Sequence, residues 1–203
     1  MINIESITLS DKAQVDKLSS HNIYNYKTPI PTEYLPGYIK SIAKFSKNYD
    51  FLAEDFHSIY RRPPYNWEDF LYFVDRNIGF GVTVKFFENR TDKKISGAWH
   101  WDNKEMTSFT IYVNQSEPPK RQKMTIIHEC IHAIQDFDNE FKEMLAIYPV
   151  QIQRRIADRI AEKAAAQIIL PREDVILDQI IDGLNPYQIA IKYDVSLQMA
   201  SFI

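Results

Sequence analysis

Apolar side chains in the first third of the chain recur at the spacing of an α-helix. Between residues 38 and 60 they fall three, four or seven positions apart, at Ile39, Ile42, Tyr49, Leu52, Phe56 and Ile59. This periodicity predicts one long amphipathic helix. The run Arg61-Arg62-Pro63-Pro64 interrupts it, because consecutive prolines cannot continue a helix. We therefore predict a helical N-terminal extension over residues 1–65 and a second domain over residues 66–203.

The second domain begins with a short helix and continues with strand-like segments. Asn66 can cap a helix over residues 67–76, with Glu68 and Asp69 in its first turn. Three segments rich in β-branched and aromatic residues follow, with turn residues between them, at residues 82–87, 95–101 and 109–113. These segments predict a three-stranded sheet.

The remainder of the chain predicts helices. Pro118 and Pro119 suit the entry to a helix that continues to about Gln135. A long alanine-rich helix is predicted over residues 149–170, where Pro171 ends it. Two shorter helices, 172–182 and 186–193, form a C-terminal region from about residue 172. The fold class is therefore α+β, with one small sheet and helical regions at both ends.

Composition excludes several classes of protein. Hydrophobic residues make up 45% of the chain and charged residues 25%, which is ordinary for a globular protein. A net charge of −3 gives no basic footprint, so we do not expect direct nucleic-acid binding. No apolar run is long enough to span a bilayer, and the start lacks a secretion signal. Cys130 is the one cysteine, which excludes an internal disulfide and favours a reducing, cytoplasmic location without membrane contact.

The run His128-Glu129-Cys130-Ile131-His132 carries the chemistry. Two histidines four residues apart on a helix project from the same face, so both imidazoles can bind one metal ion. The glutamate between them is rotated off that line and can hold the attacking water. This HExxH spacing is typical of zinc metalloproteases, with the order helix, strands, motif helix of a small zincin-like core. We predict Zn²⁺ bound by His128 and His132, with Glu129 as the catalytic general base.

A catalytic zinc usually takes three protein ligands and leaves a fourth position for water. The chain contains no histidine after His132, and Cys130 lies on the far side of the helix from the histidines. Carboxylates remain as the third ligand. The candidates are Glu140, Glu143, Asp158 and Glu162. Asp158 and Glu162 are one turn apart on one face of the alanine-rich helix, and spacing alone does not choose between them.

The alanine-rich helix resembles that of the ImmA/IrrE metallopeptidases, in which HExxH is followed by E-x-x-A-x-x-F-A-x-x-L-L-x-P. Here the corresponding stretch runs from Asp158 to Pro171 and keeps Ala161, Ala165, the aliphatic pair Ile168-Ile169 and the terminal proline. Two positions depart from the pattern, since Asp158 stands at the family's ligand glutamate and Ala164 at its phenylalanine. Other parts of the chain also resemble the family's sequence pattern, namely Gly97 and residues 110–114, 121–127 and 188–196. The resemblance covers about residues 67–203.

This resemblance implies that Asp158 is the third metal ligand, with Glu162 as the runner-up. It also implies a zinc-dependent endopeptidase that makes one site-specific cut in a regulatory protein. The implied partner is a helix-turn-helix transcriptional repressor of a phage, a mobile element or a stress response, whose cleavage relieves repression. The alternative is a metal-binding regulatory or toxin–antitoxin module that does not cut.

The strand just before the motif helix is the expected substrate site. In zincins a sheet edge beside the metal commonly holds the substrate as an added antiparallel strand. We therefore expect Ile111, Tyr112 and Val113 to contact the substrate. A further donor is needed to stabilise the tetrahedral oxyanion, and Tyr112, Tyr148 and His100 are the candidates considered for it.

Overall fold

The computed structural model describes residues 2–6, 11, 13–15, 17, 29–88 and 95–201 of the 203-residue chain. Within these residues one sheet contains the strands β1 (Ile2–Ser6), β2 (Gly81–Phe87), β3 (Gly97–Trp101) and β4 (Ser108–Asn114). The spatial order is β1-β2-β4-β3. β1, β2 and β4 run parallel, whereas β3 is antiparallel to β4. The mixed α+β class is confirmed.

The predicted number of strands is wrong, because the described residues hold four strands rather than three. The additional strand, β1, comes from the N-terminal region and pairs with β2 in the register Ile2 to Val82 through Ser6 to Phe86. Its alternation of isoleucine with polar residues lasts only five positions, and Ile4 is exposed at the edge of the sheet. So short a pattern is hard to distinguish from chance.

The helices follow local sequence signals closely. Their bounds are α1 Leu35–Ile59, α2 Trp67–Asn77, α3 Pro119–Phe137, α4 Asn139–Leu145, α5 Val150–Ile169, α6 Arg172–Ile180, α7 Pro186–Lys192 and α8 Leu197–Ala200. Pro119 occupies the first turn of α3, where a missing amide proton costs nothing. Asn185 and Gln188 form a reciprocal capping box at the start of α7. Asp138 separates α3 from α4 by accepting from the Phe141 amide at 3.1 Å.

Helix α1 belongs to the same apolar core as α3, α5 and the sheet. The apolar residues of its buried stripe are Phe45, Tyr49, Ala53 and Phe56, rather than all of the predicted positions. Ile39 and Ile59, which the periodicity assigns to the apolar face, are 59% and 56% exposed. The division of the chain near residue 65 stays a prediction. No helix among the described residues is long and apolar enough to cross a membrane.

The cationic start of α3 is held by the C-terminal segment. Lys120 donates to the Val195 carbonyl at 2.8 Å, and buried Lys123 lies 3.6 Å from the Asp194 carboxylate. Burial lowers the pKa of Lys123, and the nearby Asp194 charge opposes that shift. Two lysines that oppose the helix dipole thus receive acceptors from the segment after α7.

We expect Phe56→Ala to destabilise the whole chain by about 3–5 kcal/mol, because the ring is fully buried and packs against Tyr65, Phe70 and Phe73. Urea unfolding followed by circular dichroism and by tryptophan fluorescence measures this. The tryptophans (Trp67, Trp99 and Trp101) all lie outside α1, so both signals should shift together.

The matched control is Phe51→Ala on the same helix, since Phe51 is 63% exposed and its loss should change stability by less than about 0.5 kcal/mol. An unchanged fluorescence midpoint in the Phe56 variant would instead show that residues 1–65 fold independently.

Candidate metal centre

His128 and His132 lie one turn apart on α3, and their side chains face each other. The two Nε2 atoms are 3.1 Å apart, and the ring planes are inclined by 85°. Both side chains are mostly buried yet reach the wall of a cavity of about 1280 Å³. The same-face placement that the four-residue spacing predicts is therefore present.

Asp158 completes the group from the neighbouring helix α5. Its Oδ1 atom lies 3.3 Å from His128 Nε2 and 3.6 Å from His132 Nε2. Small residues on α5 permit this approach, since Ala161 and Ala165 are fully buried against the core. Among the described residues, His128, His132 and Asp158 are the set of three whose potential ligand atoms all lie within 4.8 Å of one another.

These three atoms fit a zinc ion. Ligands bound at about 2.0–2.1 Å to a tetrahedral ion lie about 3.3 Å from one another, close to the separations observed here. Three acceptor atoms facing one another repel unless a cation or a shared proton lies between them. The pKa of His128 is raised, because burial, which lowers it, is outweighed by the hydrogen bond to Asp158 and the charges of Glu129, Asp158 and Glu162. The site therefore attracts positive charge.

The other carboxylate candidates lie outside this group. Glu162 lines the cavity, but its Oε2 pairs with Arg159 Nη1 at 2.6 Å. Glu140 is exposed and lies 3.8 Å from Lys44, and Glu143 is exposed on α4. Cys130 is fully buried on the opposite side of α3, where burial raises the pKa of its thiol. It has the surroundings of a core residue.

Glu129 lines the cavity beside the histidines, next to Gly97 of β3. A Cβ on Gly97 would clash with Thr125 Cγ2, and would lie 3.0 Å from the Tyr112 carbonyl and 3.3 Å from Glu129 Cγ. Glycine is therefore needed for β3 to approach α3 this closely. This contact brings a strand edge next to the proposed general base.

The expectation that the strand before the motif helix offers a free edge is wrong. β4 lies between β2 and β3, and its residues Ile111, Tyr112 and Val113 are buried and do not line the cavity. In the described part of the chain β3 forms the edge next to β4 instead, and Ser96, Gly97 and Trp99 line the cavity. Chain order suggested β4 because it immediately precedes α3.

The three side chains considered for oxyanion stabilisation have other surroundings. Tyr112 donates to Asp11 at 3.0 Å, and Tyr148 shares a 2.9 Å hydrogen bond with Ser41. His100 has a buried Nδ1 atom without a hydrogen-bond partner. None of the three is part of the cavity wall formed by the described residues.

Sequence reasoning missed Gln135. This side chain is 2% exposed and lies three residues after His132 on α3. Its Oε1 atom is 2.8 Å from His132 Nδ1, and its Nε2 donates to the Ala157 carbonyl at 3.0 Å. The available signal was a polar residue at the i+3 position of a ligand candidate, on the same helix face.

Comparisons with known proteins identify the family of the chain. Residues 80–202 match the sequence model of Peptidase_M78, described as the IrrE N-terminal-like domain. The chain belongs to this family, and the resemblance to ImmA/IrrE proteins is confirmed. No curated protein gave a sequence match.

A solved structure similar to this chain is described as a Mycobacterium tuberculosis transcriptional regulator, with a TM-score of 0.54 and 14% identity. The alignment covers 75% of this chain and 45% of that one, so the chain spans less than half of the neighbour's length. At this identity the likeness shows a shared fold alone.

Asp158→Ala should weaken zinc binding by more than about 100-fold. This loss exceeds the usual effect of removing a residue that only hydrogen-bonds to a metal ligand. Glu162→Ala should leave it within about threefold, because that carboxylate lies outside the three-residue group. Competition with a chromophoric chelator measures both affinities, and circular dichroism checks that each variant is folded. Retained binding in the Asp158 variant with loss in the Glu162 variant would reverse the assignment.

Proposed function

We propose that this protein is a zinc-dependent endopeptidase. The observation that carries the proposal is the group His128, His132 and Asp158 beside Glu129 in one cavity, in a chain of the Peptidase_M78 family. Two imidazoles and one carboxylate form a donor set typical of catalytic zinc. Such a set leaves a coordination position for solvent, unlike the four-ligand sets of structural zinc.

The proposed role of each residue is assigned from its position. His128 Nε2, His132 Nε2 and Asp158 Oδ1 would hold the zinc ion, which when bound lowers the pKa of water and polarises a peptide carbonyl. The Glu129 carboxylate accepts the proton of the attacking water and delivers it to the leaving amine. Partial burial of the histidines limits competing hydration of the site.

The edge of β3 is suited to hold the substrate backbone. Asn114 N donates to Ser96 O and Asp102 N to Ser108 O, both at 2.9 Å. In this antiparallel register the even-numbered residues of β3 bond to β4. The amides and carbonyls of Gly97 and Trp99 therefore point away from β4, toward the side where a substrate strand can pair.

A single cut in a regulatory protein is the expected activity, and we propose a helix-turn-helix transcriptional repressor as the substrate. The resemblance to ImmA/IrrE proteins supports this choice. The structural neighbour is itself described as a transcriptional regulator, which is consistent with a regulatory setting. We propose a cytoplasmic location for the same reason, since repressors act there.

A non-cleaving regulatory module would bind a metal through the same three residues but would not hydrolyse a peptide bond. It needs no general base, whereas Glu129 is present at the motif position and lines the cavity. The protease therefore accounts for more of the site than the module does.

Glu129→Gln should keep zinc affinity within about threefold and lower the rate of cleavage by about 10²–10⁴, because the amide cannot accept the water's proton. Labelling of new protein N-termini in cells of the source organism, with wild type and variant compared, identifies cleavage. A few new termini, dependent on Glu129 and located in repressors, are expected. Equal sets of termini in both samples would favour the non-cleaving module.

Trp99→Pro should lower kcat/KM about five- to tenfold relative to Trp99→Ala, because proline removes the outward amide while both variants lose the indole. The amide at this position does not bond to β4, so the ladder stays intact. Cleavage of a synthetic peptide spanning the site found by N-terminal labelling measures the difference. Equal kcat/KM for the two variants would show that substrate does not pair with β3.

A further inference from the structure

We propose that Gln135 is a positioning residue of the metal centre, which orients His132 and fixes the distance between α3 and α5. This inference rests on the proposed metal site. Gln135 lies within α3, is almost fully buried, and bridges His132 to the backbone immediately before Asp158. It therefore contacts both protein elements that supply ligand atoms.

The two hydrogen bonds of Gln135 determine the tautomer of His132. Gln135 Nε2 donates to the Ala157 carbonyl, which can only accept, so Oε1 is the atom that faces the imidazole. Oε1 can only accept as well, so His132 Nδ1 carries the proton. In the neutral ring His132 Nε2 is then an unprotonated acceptor directed at His128 and Asp158, as a metal ligand must be.

The second hydrogen bond sets the position of α5. Asp158 carries a side chain one methylene shorter than glutamate, so α5 must lie close to α3 for its carboxylate to reach the histidines. Gln135 binds the carbonyl of Ala157, the residue adjacent to Asp158, at 3.0 Å. A contact so near the ligand transmits any movement of the glutamine to the carboxylate.

This hydrogen bond is not needed to satisfy the backbone. Ala157 lies inside α5, where its carbonyl accepts from the amide four residues later. Gln135 uses the second lone pair of that oxygen. No backbone group requires this bond, and the buried side chain that makes it also binds a metal-ligand candidate. A role in positioning the metal ligands explains both contacts.

The test uses the full-length protein and titrates Zn²⁺ against a chromophoric chelator. Gln135→Met keeps the length of the side chain but removes both hydrogen bonds, and should weaken zinc binding about 10–100-fold. Gln135→Glu keeps an acceptor for His132 and loses the donor to Ala157, so a smaller loss is expected. The visible absorption of bound Co²⁺, which reports coordination geometry, should change in both variants.

The matched control is Gln153→Met. Gln153 lies on α5 and, like Gln135, donates to a backbone carbonyl, that of Tyr148 at 2.7 Å, but it does not line the cavity. This variant should bind zinc within about threefold of wild type. In a second comparison, Asp158→Glu is added to Gln135→Glu. The longer carboxylate should recover part of the lost zinc affinity. A general loss of stability would not be reversed in this way.

The outcomes separate this inference from the proposed function. A wild-type protein that does not bind Zn²⁺ would overturn both. Zinc binding by wild type with unchanged affinity and Co²⁺ spectrum in folded Gln135→Met would overturn the positioning role alone. If Gln135→Met does not fold, Gln135→Glu decides: wild-type affinity in that variant, or no recovery with Asp158→Glu, would exclude control of α5 by Gln135.

Discussion

The close packing of α5 against α3 is the constraint on which the candidate centre depends. Both histidines come from a single helix, so their relative position follows from helix geometry alone. The third acceptor comes from a different helix, and its distance is set by tertiary packing. Small buried side chains on α5, Ala161 and Ala165, let the two helices approach, and this approach brings a short carboxylate within 3.3 Å of His128. A larger side chain at those positions would separate the acceptors.

The sheet meets the same helix from the other side. Gly97 removes the side chain that would otherwise hold β3 away from Thr125 and Glu129. The cavity therefore lies between an edge strand and a pair of helices, and residues from all three line it. The C-terminal segment holds the opposite end of α3 through Lys120 and Lys123. The helix that supplies two of the three acceptors is thus contacted along its length.

Features encoded within one helix could be predicted from the sequence, and features that depend on two distant segments could not. The positions of His128, Glu129 and His132 follow from a pattern of five residues. The choice between Asp158 and Glu162 did not follow from spacing, because both lie on one face of α5 and only packing distinguishes them. Family resemblance favoured Asp158, and the three-residue group contains it.

The order of strands shows the same limitation. β1 pairs with β2 across roughly the first 80 residues of the chain, and no local signal specifies that partner. β4 precedes α3 in the chain yet lies inside the sheet, whereas β3 takes the edge. Hydrophobic patterns identify a strand but not its neighbours. The buried positions of α1 differ from the predicted ones for a related reason, because burial depends on which elements the helix packs against.

Strand pairing at β3 has a consequence for where a target protein can be cut. The strand spans five residues, Gly97–Trp101, and alternate ones turn their amides outward. An incoming polypeptide would have to be unfolded locally over several residues before it could dock there, since helical or turn backbone has already used its hydrogen-bonding groups. Proteolysis would then be confined to linkers and transiently opened regions of a partner. The dynamics of the target, as much as its amino-acid sequence, would decide where it is cut.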